Sequence, residues 1–195
     1  TIAGHKIIAR RAKDGDQFQT LDEQVRIMDQ DILMICDAEK EIGIAGIMGG
    51  ENSKITDDVK TVLFEAATFN GPNIRKSAKR LGLRTDASGK GLDPHNAEAA
   101  INRACQLIQE LGCGEVVSGM VDVCQPMKEA ARILFEPDRI NDLLGTGVSR
   151  QEMLEIFRML EIQYEETANE LVIPTWRQDL ECCADIAEEV ARFFI

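Results

Sequence analysis

The spacing of the apolar residues changes along the chain, and this change restricts the fold more than any other feature of the sequence. Short apolar runs between Gly, Asp and Asn turns come first, and they predict strands at residues 6–10, 25–28, 32–36, 42–48 and 61–64. Helical spacing then predicts helices at residues 72–81 and 94–111, and residues 115–123 alternate as another strand. Strands grouped ahead of helices predict an α+β fold.

A second pattern of elements begins after residue 126 and predicts a separate domain. Its strands are predicted at residues 132–135, 163–166 and 170–173, and its helices at 138–144, 149–160 and from about 184 onward. Ser149 with Glu152 three residues later is typical of a capping box at the start of the middle helix. We therefore expect a mixed-sheet domain with packed helices at residues 1–126 and a small α+β domain at residues 127–195.

The charge distribution bounds the partners of the chain. The net charge of -12 argues against a surface that holds nucleic acid unaided, because phosphate affinity comes mainly from Lys and Arg. Residues 73–90 nevertheless carry six basic side chains and one acidic one, which is typical either of a solvated helix face or of a local contact for an anionic ligand. No apolar run of about 18 residues and no leader pattern is present, so a cytoplasmic protein without a membrane partner is expected.

The six cysteines are expected to be reduced structural thiols. They include no C-x-x-C pair, and the two histidines are not spaced to complete a zinc site. The neighbouring Cys182 and Cys183 would point in different directions on a helix, which disfavours them as a pair of metal ligands. The chain begins at Thr1 and stops at Ile195 within an apolar run, and we expect it to be a fragment of a larger protein.

Several stretches before residue 90 hold candidate binding residues. The stretch "GIAGIMGGENS", residues 43–53, is either a glycine turn that needs positive φ or a place where a ligand approaches the backbone closely. Glu65 lies in the apolar "VLFEAATF", where its carboxylate is either exposed at an edge or held for a purpose. The polar groups of "LRTDAS", residues 83–88, would hold water or cap a turn. No Ser-His-Asp or Cys-His arrangement can be assembled, so no catalytic residue is assigned.

Acidic residues crowd the last part of the sequence. The stretch "PTWRQDLECCADIAEEVARFF", residues 174–194, sets them beside an apolar helical stripe. The buried side of this helix is expected to consist of Ile186, Ala187, Val190, Ala191, Phe193 and Phe194. Carboxylate oxygens suit a hard cation such as magnesium, but a solvated acidic helix face has the same pattern. The spacing alone leaves both interpretations open.

Three long stretches, in this order, resemble the beta subunit of bacterial phenylalanyl-tRNA synthetase: "GIAGIMGGENSKITDDVKTVLFEAATFN", "RKSAKRLGLRTDASGKGLDP" and "IPTWRQDLECCADIAEEVAR". The resemblance covers essentially the whole chain. It implies that residues 1–126 are most of an editing domain and that residues 127–195 are a small winged-helix-like domain. It also implies a subunit that binds tRNA(Phe), hydrolyses tyrosyl-tRNA(Phe) made in error and docks an alpha subunit.

The resemblance also implies roles for individual residues of the editing domain. Glu65 matches an acid that recognises the tyrosine hydroxyl. Such an acceptor discriminates against phenylalanine, which would leave it without a hydrogen-bond partner. Thr85 and Ala87 match positions of the pocket, and Gly49 matches a glycine where added bulk would block that pocket. The attacking group is a water, and no general base is identified.

The acids that match the family's magnesium motif are Asp179, Asp185, Glu188 and Glu189. In the family this ion is shared with the alpha subunit. Glu188 and Glu189 follow Asp185 by three and four residues, so the three share one side of a helix, and Asp179 can converge from the preceding turn. We expect a half-site whose four carboxylates are clustered but loosely held in the absence of the partner.

Two departures from the family pattern support a second hypothesis of a different class. A histidine of the family lies before the position that matches Thr1, and the family has a few more residues after Ser88. One hypothesis is an editing hydrolase within an alpha2-beta2 ligase, in which the alpha subunit uses ATP that this fragment does not bind. The other is a scaffold that docks the alpha subunit and turns over no substrate by itself. Neither includes a DNA partner.

Overall fold

The computed structural model describes residues 2–83 and 92–194, and its internal contacts divide the chain into two units, Thr1–Gly119 and Met120–Ile195. Both units combine helices with antiparallel strand pairs, which confirms the predicted α+β class. The boundary predicted near residue 127 falls in an irregular stretch, residues 120–131. No helix of the described residues is long and apolar enough to cross a membrane.

The first unit is built on a small antiparallel sheet. Its strands are β1 (Ile8–Arg11), β2 (Gln17–Gln19), β3 (Val25–Ile27), β4 (Leu33–Cys36), β5 (Glu41–Ile44) and β6 (Met48–Gly49). Four of them form a sheet in the order β1-β4-β5-β6, and β2 pairs with β3 as a separate hairpin. All these pairs are antiparallel, where a mixed sheet was expected.

The core of the first unit lies between the sheet and the hairpin. Strand alternation turns Phe18 inward while its neighbours Gln17 and Gln19 face solvent, and the central strand β4 buries three of its four residues. The buried cluster consists of Ala12, Phe18, Met28, Ile32, Met34, Cys36 and Ile44. A short polar strand such as β2 carries too few apolar residues to be recognised in the sequence, which is why it was not predicted.

Two helices follow, α1 (Gly71–Arg80) and α2 (Asn96–Glu110). Asn70 caps α1 by accepting a hydrogen bond from the Asn73 amide at 3.0 Å, and Pro72 lies in the first turn. Helix α2 ends before Gly112 (φ 65°) as predicted, because glycine adopts the left-handed conformation of a helix C-terminus. Its predicted core stripe is wrong, since no residue of α2 is fully buried.

Three strand predictions in the first unit require correction. The predicted strand 42–48 is two strands, because the chain turns at Gly46, whose φ is 65°. Residues 61–64 and 115–123 form no strand. Both carry apolar side chains exposed to solvent, Leu63 and Val121 among them. Alternation indicates that a segment can form a strand, but a strand also needs a partner, and none pairs with them among the described residues.

The second unit has the element order of a winged-helix-like domain. Its elements are β7 (Arg132–Leu134), α3 (Pro137–Leu144), α4 (Arg150–Met159), β8 (Gln163–Glu165), β9 (Glu170–Val172) and α5 (Cys183–Phe194). The three strands form an antiparallel sheet in the order β7-β9-β8. Asn141 closes the turn between α3 and α4 by bonding both the amide and the carbonyl of Val148 at 2.9 Å.

Aromatic and aliphatic side chains fill the core of the second unit. Phe135 meets Phe157 and Tyr164 edge to face, with ring centroids 5.4 and 5.6 Å apart. From α5 the core receives Ile186, Ala187 and Val190 as predicted, together with Cys183. The predicted burial of the two terminal phenylalanines is wrong, because both are about half exposed.

Candidate functional site

The glycine-rich stretch of the first unit serves two structural purposes. Gly46 takes the positive φ of a tight turn, and a Cβ there would lie 2.9 Å from the Phe69 ring. At Gly50 a Cβ would lie only 2.5 Å from the Phe18 ring and 2.9 Å from the Ile42 carbonyl oxygen. The interpretation as a glycine turn is therefore confirmed at Gly46, and the groups that approach Gly46 and Gly50 closely belong to the chain itself and not to a ligand.

Gly49 lies at the end of β6, opposite Gly43 across the β5-β6 pair. A Cβ at this position would lie 3.0 Å from Leu21 Cδ1, at a place where the Leu21 side chain is about half exposed. Added bulk at Gly49 would therefore displace an exposed leucine, not the buried core.

Glu65 lies in an irregular segment and not in the strand that was predicted for its neighbours. The residue Glu65 as a whole is exposed. Nearby protein atoms nevertheless displace part of the water around its carboxyl group, and this desolvation raises the pKa of the group above its ordinary value. No hydrogen bond or ion pair reaches Glu65 from within the described part of the chain. Its carboxylate is an acceptor with its hydrogen-bonding capacity unused.

Thr85 and Ala87, the other two candidate pocket residues, lie outside the described residues, as does the shortened segment after Ser88. Helix α1 precedes this segment in the sequence, and two sets of contacts fix its position in the first unit. Ile74 lies 3.5 Å from the Cβ position of Gly46. Lys76 and Arg80 form ion pairs with Asp31 and Asp29 of the turn before β4.

Two of the four acids of the second unit share one arginine. Arg177 donates to Asp179 at 2.7 Å and to Glu189 at 2.8 Å. Glu189 is buried, with 4% of its side chain exposed, whereas Asp179 is 62% exposed. The bonds to Asp179 and Glu189 raise the pKa of Arg177, and the bond from Arg177 lowers the pKa of Asp179.

The other two acids point to different partners. Asp185 accepts hydrogen bonds at 2.8 Å from the amides of Glu181 and Cys182, which lowers the pKa of its carboxyl and secures the start of α5. Glu188 pairs with Arg192 one turn further along the helix, on an exposed surface. Arg192 also reaches Glu189 at 3.4 Å.

The arrangement therefore does not have the clustered carboxylates that we expected. Within the described residues, no group of three or more His, Cys, Asp and Glu side chains could hold a metal ion. The donor atoms of Asp179 and Glu189 are directed at a guanidinium, and those of Asp185 at backbone amides, so the acids as placed do not fit magnesium. The sequence pattern does not reveal Arg177 as the partner of these acids, whereas the i,i+4 spacing of Glu188 and Arg192 is itself a signal of pairing.

The two neighbouring cysteines of this region have different surroundings. Cys183 is buried in the core of the second unit while the neighbouring Cys182 is exposed, as the helical geometry predicts. Burial raises the pKa of the Cys183 thiol, and it does the same for Cys36 in the first core.

An open groove of about 770 Å³ lies on the second unit beside the loop that carries Arg177. Trp176 is about half exposed in this groove, where Leu154 and Ile162 supply apolar surface. The lining residues are Leu154, Arg158, Glu161, Ile162, Gln163, Tyr164 and Trp176. An exposed tryptophan beside tyrosine and arginine is the composition of a protein-binding surface, not of a small-molecule pocket.

Comparison with known proteins gives two family matches. Residues 1–113 match the B3/4 domain, and residues 133–194 match the tRNA synthetase B5 domain. The phenylalanine–tRNA ligase beta subunit of Clostridium acetobutylicum is 44% identical over 99% of this chain, and that of Clostridium tetani is 40% identical over 99%. The corresponding subunit of Geobacter metallireducens is 41% identical over 98%. The chain spans about a quarter of the length of these relatives, 25% of each.

Proposed function

The chain belongs to the B3/4 domain family, carries a tRNA synthetase B5 domain after it and corresponds to a segment of the phenylalanine–tRNA ligase beta subunit; on this premise we propose that its first unit hydrolyses mischarged tyrosyl-tRNA(Phe). In this proposal the parent enzyme joins phenylalanine to tRNA(Phe) with ATP on its alpha subunit, in the cytoplasm, as an alpha2-beta2 assembly. This segment removes tyrosine that was attached in error.

Glu65 carries the proposal. Tyrosine differs from phenylalanine by one hydroxyl, and Glu65 is a partly desolvated carboxylate to which no donor of the described chain is bonded. A phenol that donates to this carboxylate satisfies it, whereas a phenyl ring that covers it leaves a buried acceptor unpaired. Gly49, Thr85 and Ala87 provide the remaining pocket, in which a water attacks the ester bond.

The test compares deacylation of tyrosyl-tRNA(Phe) and phenylalanyl-tRNA(Phe) by the full beta subunit with its alpha partner. Glu65→Ala is expected to lower the preference for the tyrosyl ester by about 10- to 100-fold, the range for loss of one hydrogen bond to a charged group. Glu115→Ala is the matched control, because Glu115 is also exposed in an irregular segment of the first unit. An unchanged preference in Glu65→Ala would remove Glu65 from substrate recognition.

Docking of the alpha subunit is the second function, and the groove around Trp176 favours it. Buried Trp, Tyr and Arg side chains dominate the binding energy of protein interfaces, and three such residues line this groove. Trp176→Ala is expected to weaken alpha-subunit binding by about 30-fold, which corresponds to about 2 kcal/mol. Leu143→Ala removes an equally exposed apolar side chain from α3 and is expected to leave binding unchanged.

The two functions are separated by two measurements on the 195-residue chain: turnover of tyrosyl-tRNA(Phe) without the alpha subunit, and binding of added alpha subunit. Turnover of tyrosyl-tRNA(Phe) by this chain places the hydrolytic machinery within it. Docking without turnover, by contrast, assigns the chain the role of a scaffold whose hydrolytic site needs residues supplied from elsewhere in the parent enzyme.

A further inference from the structure

Helix α1 presents three distinct faces. Ile74, Ser77 and Ala78 are buried and form the inner face. A second face binds the turn before β4: the Asn73 side chain donates to the Asp31 carbonyl at 3.0 Å, and Lys76 donates to the Asp31 carboxylate at 2.9 Å. Arg80 completes this second face through Asp29. These two faces fix the orientation of the helix and therefore of whatever its third face carries.

The third face carries Arg75 and Lys79. They are spaced i,i+4, so their side chains project from the same side of the helix one turn apart. Both are exposed, and neither has an ion pair or hydrogen bond within the described part of the chain. Two of the four basic residues of α1 are thus paired within the first unit, and the other two have no partner among the described residues.

The location of this face is as informative as its charge. Helix α1 contains no acidic residue, in a chain whose net charge is -12. Ile74 packs next to Gly46, so the helix lies against the glycine-rich stretch that includes Gly49. Arg75 and Lys79 therefore lie on a helix that contacts this stretch and that precedes, in the sequence, the segment carrying Thr85 and Ala87.

Helix electrostatics accounts for only one of the two residues. Lys79 lies in the last turn of α1, where a cation interacts favourably with the helix dipole. Arg75 lies one turn earlier, beyond the reach of that effect, which falls off within the last turn. Arg75 is therefore an exposed guanidinium without an ion pair among the described residues, and its fork of N–H donors is available to a phosphate.

We propose that Arg75 and Lys79 form a phosphate-binding face that holds the RNA backbone beside the first unit. Two cations on one rigid helix match neighbouring phosphates of a single strand, and they position the strand without reading its bases. The inference deepens the proposed function and rests on it for the identity of the RNA, the acceptor end of tRNA(Phe). The charge geometry itself does not depend on hydrolysis.

The test measures binding of uncharged tRNA(Phe) and of single-stranded RNA to the 195-residue chain as a function of salt. The double variant Arg75→Gln/Lys79→Gln is expected to bind both probes more weakly. The slope of log K against the logarithm of the salt concentration is expected to be smaller in magnitude by about 1.4, because each lost phosphate contact to a single strand contributes about 0.7 to this slope. The matched control Lys76→Gln/Arg80→Gln changes the net charge equally and is expected to keep the wild-type slope while it lowers the thermal stability.

Three outcomes would overturn the proposal. An equal change of slope in both double variants would mean a non-specific charge effect. No change of slope in either variant would mean that this face is only solvated and does not bind RNA. Loss of slope in Lys79→Gln but not in Arg75→Gln would assign the effect to the helix end. Since neither RNA probe carries an aminoacyl ester, the result is independent of hydrolysis. The expected change of slope together with no turnover of tyrosyl-tRNA(Phe) by the full beta subunit and its alpha partner would overturn the editing function alone.

Discussion

At the scale of single residues, the burial of Glu189 depends on Arg177. A carboxylate in an apolar core is strongly disfavoured unless charge-assisted hydrogen bonds replace its water, and Arg177 supplies one at 2.8 Å. The helical pattern of the sequence places Glu189 next to Val190 but does not reveal that the loop before the helix returns an arginine to that position. The position of Glu189 on the helix was therefore predictable from the sequence, whereas its ion-pair partner was not.

Because of this pairing, the same Glu→Gln substitution at two adjacent positions is expected to lower the free energy of unfolding by different amounts. Glu189→Gln breaks a buried ion pair and is expected to lower the free energy of unfolding of the second unit by about 3 kcal/mol. Glu188→Gln breaks the exposed pair with Arg192 and is expected to cost less than about 1 kcal/mol. Urea unfolding followed by the fluorescence of Trp176, the single tryptophan of the chain, measures both. Equal effects would contradict the structural role of the buried pair.

At the scale of elements, the ends of the helices were predictable and several strands were not. Asn70, Gly112 and the Ser149-Glu152 pair act locally, within a few residues, so their spacing in the sequence already contains the interaction. The predicted strands at residues 61–64 and 115–123 depended on long-range pairing, about which a local alternation says nothing. The candidate pocket residue Glu65 inherited this error, because its assumed strand is an irregular segment.

The capping box at the start of α4 is expected to contribute measurably to the stability of the second unit. The Ser149 hydroxyl accepts from the Glu152 amide, and Glu152 accepts from the Ser149 amide at 2.9 Å. Ser149→Ala is therefore expected to cost about 1 kcal/mol near neutral pH. Thr167→Ala, in an exposed turn, is expected to stay within about 0.5 kcal/mol.

The cost of Ser149→Ala is also expected to depend on pH. Hydrogen bonds from the Ser149 side chain and amide lower the pKa of Glu152, so the carboxylate stabilises the folded state above its unfolded pKa of about 4.3. That contribution disappears as the pH falls through the lower folded pKa. Urea titrations from neutral to acidic pH should show the gap between Ser149→Ala and wild type narrowing. A constant gap would mean that Glu152 has no part in the cap.

At the scale of the whole molecule, the acids and their counterions are distributed unevenly. The chain carries 34 acidic and 22 basic residues, yet the four acids of the magnesium motif are among the best compensated, by two arginines and two backbone amides. The sequence correctly indicated which carboxylates are close in the chain. It could not indicate their counterions, because Arg177 and Glu189 are 12 positions apart and their contact depends on how the loop before α5 folds.

This compensation predicts how the chain alone responds to magnesium. The ion must displace Arg177 from Asp179 and Glu189, so we expect the same melting temperature in magnesium chloride and in sodium chloride of equal ionic strength. A specific site would behave differently, because a ligand at about 100 times its Kd stabilises the folded state by about 2.7 kcal/mol. Arg177→Gln leaves the two carboxylates without their guanidinium, and this variant is expected to gain stability from magnesium that the wild type does not. A magnesium-specific shift in the wild-type chain would instead mean that the acids bind the ion without help from a partner subunit.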